Sequence, residues 1–249
     1  MHRLARARLA CDALIDAITV KETQFFRDQA YFDAIRSHVM PTIVAALGRG
    51  RAAGAFARIW SAAASTGQEA YSVAILARES MGNDAGSAVD ERRLSILASD
   101  ISSEAIDKAS AGLYTQAEVR RGLSEARLHQ HFRRRGELWS VEESLRRMVQ
   151  FRTFNLLNSP TELGAFDLIL CRNVLIYFDD ATRRRICLGL CGALHDGGWL
   201  ALGSAESLRG MEDRLETVLV GKAILYRKPL RAPEGVTTAP AQSTTARPG

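Results

Sequence analysis

Polar residues stand where four predicted β-strands end, at positions that the strands themselves do not need. They are Ser65-Thr66-Gly67, Asp100, Asn155 and Asn173. In an open parallel sheet, ligands bind in the crevice outside the carboxyl ends of the strands, so we expect these residues to line one site. A carboxylate such as Asp100 can accept two hydroxyl hydrogen bonds from a ribose, although an Asp at this place is also common as a helix cap or turn residue.

The loop after the first strand limits what kind of ligand this site can take. Its sequence, "AASTG", holds only Gly67 where a dinucleotide-binding loop has three glycines, which disfavours a pyrophosphate. Its small residues still allow a ligand to come close to the backbone. A nucleoside cofactor with a ribose and few phosphates fits this combination, and S-adenosylmethionine is the candidate.

The elements that must position these residues are short apolar runs that alternate with helical patterns. This alternation predicts a parallel sheet covered by helices. The predicted strands are 58–62, 94–99, 151–154, 166–170 and "GGWLALGS" (197–204), with a hairpin-like edge at 218–226. The predicted helices are 69–80, 103–111 with Ser102 or Ser103 as its cap, and about 180–194. A helical segment (1–55) precedes this domain (56–228), and a tail (229–249) with almost nothing to bury is predicted to be disordered.

Composition excludes several classes of protein. The chain has 249 residues, of which 47% are hydrophobic and 24% charged, as in ordinary globular domains. It has neither the run of roughly 18 uncharged residues that a membrane span needs nor a secretory signal, so we expect a cytoplasmic protein. The four cysteines lack the spacing of a zinc or redox site, and no metal is predicted.

The net charge of +5 is concentrated in arginine clusters. Two of them are Arg133-Arg134-Arg135 and Arg183-Arg184-Arg185. Such clusters are either solvated faces or surfaces for an acidic partner. Because aromatic residues are not interleaved as a base-stacking platform requires, an acidic protein is the more plausible partner, and no nucleic acid is expected.

Five stretches resemble, in this order, the motifs of the CheR-type chemotaxis receptor (protein-glutamate) O-methyltransferases. They are "TQFFRD" (23–28), "IWSAAASTGQEAYSVAI" (59–75), "ILASDISSEAIDKASAGLY" (96–114), "FNLLN" (154–158) and "FDLILCRNVLIYFD" (166–179). The resemblance implies the class I S-adenosylmethionine-dependent methyltransferase fold, which is Rossmann-like, with a small β-subdomain inserted at about 118–154. It also implies methyl transfer to glutamates of chemoreceptor cytoplasmic domains, with S-adenosylhomocysteine as the other product and membrane contact only through the receptor.

The same resemblance assigns residues to the site. Arg27 and Tyr177 are expected at the methyl-transfer centre. Cofactor contacts are expected from Thr23, Arg27, Gly67, Glu69, Asp100, Asn155, Leu156, Asn173 and Val174. Glu69 would pair with the methionyl ammonium, Asp100 with the ribose and Asn155 with the adenine edge. Two other interpretations remain: Thr23 as a helix cap and Tyr177 as a core aromatic residue.

The chain also departs from the family pattern. Lys21 stands where the motif usually has Asn, Gln68 replaces a Glu, and "GSAES" (203–207) lacks the usual His. Only about 20 residues precede the first motif, fewer than is usual in the family. The alternative function is therefore a non-catalytic signalling module that retains the fold and the cofactor. Arg172, which follows the fourth strand, is predicted to pair with Asp167 or Asp179.

Overall fold

A computed structural model describes residue 16 and residues 21–48, 56–82, 91–208 and 213–230. The predicted disordered tail lies, from residue 231 onward, outside the described residues, as does most of the segment before residue 21. No helix of the described part is long and apolar enough to cross a membrane. Within the same residues, no three His, Cys, Asp or Glu side chains are grouped so that they could hold a metal ion.

The chain alternates strands and helices as predicted. The strands are β1 (Ala57–Ala62), β2 (Leu94–Asp100), β3 (Leu113–Thr115), β4 (Phe132–Arg135), β5 (Leu138–Val141), β6 (Val149–Thr153), β7 (Phe166–Cys171), β8 (Leu194–Leu202), β9 (Glu216–Val220) and β10 (Ala223–Arg227). The α-helices are α1 (Gln29–Ala34), α2 (Met40–Gly48), α3 (Gln68–Gly82), α4 (Ser103–Ala111), α5 (Gln116–Arg120), α6 (Glu125–His131), α7 (Glu143–Arg146) and α8 (Asp180–Gly192). A π-helical turn, Ile35–Val39, joins α1 to α2, and short 3₁₀ turns lie at Glu91–Arg93, Pro160–Leu163 and Leu175–Tyr177.

Seven strands form the main sheet, in the order β6-β2-β1-β7-β8-β10-β9. The first five are parallel, and β10 and β9 add an antiparallel hairpin at one edge. All six residues of β7 are buried, as expected for a central strand that helices cover on both faces. The predicted fold class, a mostly parallel sheet flanked by helices, is confirmed.

The helices begin where local capping predicts. Ser102 is the cap of α4, since its hydroxyl accepts a hydrogen bond from the Ala105 N–H at 3.0 Å. Asp179 caps α8 in the same way through the Thr182 N–H, at 2.9 Å. Each cap lies in the segment that follows the carboxyl end of a main-sheet strand, β2 for α4 and β7 for α8.

A second, three-stranded sheet has the order β3-β5-β4 and spans Leu113–Val141. It starts and ends earlier than the predicted insertion at 118–154, because Val149–Thr153 pairs with β2 as an edge strand of the main sheet. The strand β4 carries the first arginine cluster, and all three of its arginines are exposed. Arg133 contacts Glu142 at 2.5 Å, so part of this charge is already paired within the chain.

The segment before α1 is held against the three-stranded sheet by aromatic packing. Phe25 is fully buried and lies edge-on against Tyr114 and Phe132, with ring centroids 5.1 and 5.4 Å apart. At Gly122, whose φ is +96°, a Cβ atom would lie 1.7 Å from the Phe25 carbonyl oxygen, so only glycine fits there. This packing places residues 21–28 over the carboxyl ends of the main-sheet strands.

Candidate functional site

A cavity of about 420 Å³ opens at the carboxyl ends of the parallel strands. Its volume lies within the ~300–1,000 Å³ range of ligand and cofactor sites. Nine of the residues implicated by sequence line it: Thr23, Arg27, Glu69, Asp100, Asn155, Leu156, Asn173, Val174 and Tyr177. The first two come from the segment before α1, Asp100 ends β2, and the others follow β1, β6 and β7. Residues distant in the sequence thus converge on one crevice.

Gly67 is the exception among the predicted site residues, because it does not line this cavity. Its φ is +93°, and a Cβ atom at this position would lie 2.8 Å from the Cβ atom of Ala109. Gly67 therefore allows α3 and α4 to approach each other and lets the chain turn into α3. The structure shows this packing role for Gly67, and its expected cofactor contact stays a prediction.

Asp100 is held by two backbone donors. Its Oδ2 accepts a hydrogen bond from the Ser65 N–H at 2.8 Å, and its Oδ1 accepts one from the Ser102 N–H at 3.0 Å. Asp100 is therefore also a turn residue, as the alternative interpretation of the sequence allowed. Each carboxylate oxygen keeps a further lone pair, so the same side chain can also accept ribose hydroxyl groups.

Glu69 and Arg172 form a buried ion pair at the floor of the cavity. Glu69 Oε2 lies 3.2 Å from Arg172 Nη1, and its Oε1 accepts a hydrogen bond from the Ser61 hydroxyl at 2.8 Å. Arg172 also pairs with Asp28, at 2.7 Å, and donates to the Arg27 carbonyl oxygen at 3.1 Å. Burial raises the pKa of Glu69, while Arg172 and Ser61 counteract part of this effect.

The predicted partners of Arg172 are therefore wrong, although the expectation of a carboxylate is right. Asp167 lies at the other end of β7 and accepts the Arg58 N–H at 2.9 Å, whereas Asp179 caps α8. From the end of β7 the guanidinium instead reaches across the crevice to the segment before α1. The guanidinium also lies over the ring of Tyr31 in α1, 4.9 Å from the ring centroid.

Two alternatives left open by the sequence are excluded by position. Tyr177 is 61% exposed, so it is not a core aromatic residue. Thr23 precedes α1 by several residues, and the N-cap position of that helix is occupied by Asp28. Both side chains line the cavity instead.

The family described as "CheR methyltransferase, SAM binding domain" matches residues 21–224. The chain belongs to this family. It is 38% identical over 217 residues to Chemotaxis protein methyltransferase 1 of Pseudomonas aeruginosa, an alignment that covers 87% of this chain and 77% of that protein. It is 36% identical to Chemotaxis protein methyltransferase Cher2 of Pseudomonas putida, over 87% and 76% of the two chains. It is 34% identical to the Chemotaxis protein methyltransferase of Escherichia coli, over 81% and 66%.

The cofactor of this CheR domain is S-adenosylmethionine, and the donor set of the cavity fits it. The carboxylates of Asp100 and Glu69 suit the ribose hydroxyls and the ammonium group, respectively. Asn155 Oδ1 accepts the Leu157 N–H at 2.9 Å, which orients the carboxamide and leaves its N–H₂ group available to the adenine edge. The small side chains of Ala63 and Ala64 line the cavity and allow a close approach.

Sequence reasoning missed two residues that shape this CheR site. Arg172 is 5% exposed and joins Glu69 to the segment that carries Arg27. Glu206 does not line the cavity, but its carboxylate accepts hydrogen bonds from Asn173 and its neighbours. The position of Arg172 directly before the cavity residue Asn173 was a usable signal. For Glu206, the available signal was that "GSAES" (203–207) keeps the Glu of the family's late motif although it lacks the His.

Lys21 accounts for another departure from the motif. Its Nζ lies 2.5 Å from Glu104 Oε2 and 3.8 Å from Asp16 Oδ1, at the rim of the cavity. The ammonium group is therefore paired with α4 and its surroundings. In this chain, residue 21 therefore contributes an ion pair with Glu104 at the rim of the cavity.

Proposed function

We propose that this CheR domain transfers a methyl group from S-adenosylmethionine to glutamate side chains in the cytoplasmic domains of chemoreceptors. The products are glutamyl methyl esters, which serve sensory adaptation, and S-adenosylhomocysteine. The names of the relatives support the pathway. The observation that carries the proposal is that Arg27 and Tyr177 line the same cavity as the cofactor-type residues Asp100 and Asn155. Such an enzyme would be cytoplasmic, contact the membrane only through its receptor and need no nucleic acid.

The proposed reaction requires alignment rather than proton transfer. A glutamate with a pKa of roughly 4.3 is already ionised near neutral pH. S-adenosylmethionine supplies an electrophilic methyl group: the bond from the carboxylate oxygen to the methyl carbon forms as the carbon–sulfur bond breaks, and its electron pair stays on sulfur. The task of the protein is to hold the carboxylate in line and to exclude water, and such positioning is worth up to ~7–11 kcal/mol.

Arg27 is proposed to orient the acceptor carboxylate. Its Nη1 donates to the Glu22 carbonyl oxygen at 3.0 Å, which anchors one edge of the guanidinium. The group has five N–H donors, so others remain for a bidentate contact with a carboxylate. Arg172 holds the Arg27 carbonyl oxygen, which also fixes the backbone from which this side chain projects.

Tyr177 is proposed to shape the entrance for the acceptor. It ends the 3₁₀ turn Leu175–Tyr177, and its N–H donates to the Val174 carbonyl oxygen at 3.2 Å. Its ring is largely exposed, as is the side chain of the adjacent Ile176, at 61% and 49%. An acceptor segment that covers these side chains would exclude water from the methyl-transfer centre. The lower local dielectric constant would then strengthen the electrostatic contact between Arg27 and the carboxylate.

The remaining residues are proposed to bind the cofactor. Thr23, Leu156, Asn173 and Val174 would enclose it from the two sides of the crevice. Glu69 would face the methionyl ammonium. Because its Oε2 is also paired with Arg172, Glu69 would then lie between two cations, and this would favour its ionised form.

A methyl-transfer assay tests the proposal. The full chain is incubated with S-adenosylmethionine labelled in the methyl group and with membranes that carry chemoreceptors; base-labile label on receptor protein identifies glutamyl esters. We expect Arg27→Ala to abolish the transfer while the circular-dichroism spectrum stays unchanged. Arg121→Ala is the matched control, since Arg121 pairs with Glu22 at 3.2 Å but does not line the cavity.

Two results would contradict the proposal. Near-normal turnover by Arg27→Ala would remove that residue from its assigned role. Tight binding of S-adenosylmethionine by the wild-type chain, without any base-labile label on receptors, would favour the non-catalytic signalling module instead.

A further inference from the structure

Four backbone N–H groups from two separate segments converge on the carboxylate of Glu206. Asn173 and Gly203 donate to its Oε2, at 2.9 and 2.6 Å, and Val174 and Leu175 donate to its Oε1, at 2.9 and 2.7 Å. An ionised carboxylate offers about four lone-pair sites, so this one is saturated by the protein itself. Glu206 and its partner Gly203 follow β8, whereas its partners in the turn 173–175 follow β7. The side chain of Glu206 therefore connects the ends of two adjacent strands.

The turn that Glu206 binds has an unfavourable backbone conformation. Asn173 has a φ of +59°, in the left-handed region that residues other than glycine rarely adopt. The successive N–H groups that follow such a residue form a concave, anion-binding nest. In this chain the nest holds an internal carboxylate. Asn adopts this region more readily than most residues with a side chain, and Glu206 adds four hydrogen bonds that hold the turn in it.

This turn carries cavity residues, whereas Glu206 does not line the cavity. We propose that Glu206 is a positioning residue for the cofactor: it holds the turn 173–175 in the one conformation that brings Asn173 and Val174 to the site. The inference deepens the proposed function and rests on the cofactor contacts assigned there to these two residues. It does not depend on which group accepts the methyl.

Gly203 provides a second way to disturb the same contact. A Cβ atom at this position would lie 2.5 Å from Glu206 Oε2, 2.9 Å from the Asn173 backbone nitrogen and 3.1 Å from its Nδ2. Its φ is not in the left-handed region, so Gly203→Ala acts through this crowding and not through backbone strain at residue 203 itself. The variant keeps the charge of Glu206 but forces its carboxylate and the turn apart.

Calorimetry of the full chain with S-adenosylhomocysteine tests the inference. We expect Glu206→Gln to raise the Kd by at least about tenfold, because Gln has one acceptor oxygen in place of two and turns an N–H₂ group toward N–H donors. Gly203→Ala should weaken binding in the same direction. The matched control is Asp167→Asn: this carboxylate also accepts a backbone N–H, from Arg58 at 2.9 Å, but at the opposite end of β7. It should leave the Kd unchanged.

A double-variant cycle separates positioning from a general loss of stability. If Glu206 acts through Asn173 and Val174, the change Glu206→Gln should cost less affinity in an Asn173→Ala background than in the wild type, because only the Val174 contact is then left to lose. If Glu206 were purely structural, Glu206→Gln would lower the melting temperature but leave the Kd of the folded protein unchanged in both backgrounds. The coupling free energy between the two substitutions would then be zero.

Each other outcome overturns the inference. Wild-type affinity in folded Glu206→Gln would do so, as would equal losses of affinity in the two backgrounds. If Glu206→Gln does not fold, Gly203→Ala decides, and wild-type affinity there also refutes the inference. Loss of fold in both variants would make Glu206 a general structural tie. Failure of the proposed function would look different, since wild-type binding of S-adenosylhomocysteine would be accompanied by no methyl ester on receptors.

Discussion

Replacing Arg172 by Met would test how the floor of the cavity is stabilised. The side chain of Arg172 is 1% exposed and that of its partner Glu69 is 14% exposed. Loss of one member of a buried ion pair costs about 3–5 kcal/mol, because the other charge stays buried without a partner. The second partner, Asp28, is 36% exposed, so we assign that pair at most about 1 kcal/mol. The expected loss is thus dominated by Glu69.

This loss can be measured as a shift in thermal unfolding. In a domain of about 150–250 residues, 1 kcal/mol changes Tm by roughly 2–4 °C, so Arg172→Met should lower Tm by about 6–20 °C. Arg152→Met is the control. Arg152 contacts Glu162 at 2.7 Å, the same distance as between Arg172 and Asp28, but both members of this pair are largely exposed, Arg152 at 49% and Glu162 at 60%. That variant should stay within about 1 kcal/mol of the wild type.

The pH dependence gives a second readout, with a defined sign. Burial raises the pKa of Glu69 above its usual 4.5 in the folded protein. Between pH 4.5 and this raised pKa, the folded state therefore binds more protons than the unfolded state. Stability therefore falls as pH rises through that window. Arg172 is the main group that opposes the rise, so Arg172→Met should widen the window toward higher pH and cost more at pH 8 than at pH 5. A variant as stable as the wild type at pH 8 would refute this account of the cavity floor.

Three further predictions concern other parts of the molecule. Gly122→Ala should destabilise the protein by more than about 2 kcal/mol in urea unfolding, because its Cβ would overlap the Phe25 carbonyl oxygen; an unchanged midpoint would contradict this packing. Asp100→Asn should weaken the binding of S-adenosylhomocysteine by roughly tenfold or more in calorimetry, since an uncharged amide replaces the carboxylate, and an unchanged Kd would exclude the ribose contact. In a Cys11→Ser background, the native protein should react slowly with a disulfide reagent at pH 8, because burial raises the pKa of Cys187 to about 12 and that of Cys191 to about 11; rapid native-state labelling would contradict that burial.

Much of the fold could be predicted because its signals are local. The apolar run at residues 166–170 marks β7, and Ser102 marks the start of α4, since a buried strand and a helix cap depend on neighbouring residues. The hairpin of β9 and β10 was likewise predicted from the Gly221-Lys222 pair between two apolar runs. Strand boundaries are set by pairing with distant strands: β8 begins at Leu194, three residues before the predicted start at Gly197, because Leu194 pairs with Phe166 of β7.

The site could be predicted only in part, because its internal contacts are long-range. The resemblance to the family identified Arg27 and Asp100, and the structure places both at one cavity. Nothing in the local sequence connects Arg172 with Glu69, which lies 103 positions earlier. The choice among several acidic residues as its partner depends on how β7 and the segment before α1 face each other, and this is a property of the assembled sheet.

The backbone conformation at the site could also not be predicted in full from the sequence. The described non-glycine residues with a positive φ are Phe26, Asp28, Ala63, Ser65 and Asn173. Three of them line the cavity, and the other two flank Arg27, which also lines it. Asp28 and Asn173 belong to residue types that are enriched at positive φ, whereas Phe26, Ala63 and Ser65 do not, so the sequence marks these turns only in part. Residues held in such conformations cost of order 1–3 kcal/mol each and persist where the surrounding structure fixes them.

A different charged side chain braces each of these turns. Asp100 accepts the Ser65 N–H, Arg172 binds the Asp28 carboxylate and Glu206 accepts the Asn173 N–H. All three contacts join groups of the chain itself, so the protein offsets part of the cost of the turns when it folds. A cofactor that enters the cavity then meets donors and acceptors already in place, and less of its binding free energy goes into ordering the loops. The charged residues around the cavity therefore divide into those that would meet the ligand and those that shape the backbone around it, and Asp100 does both.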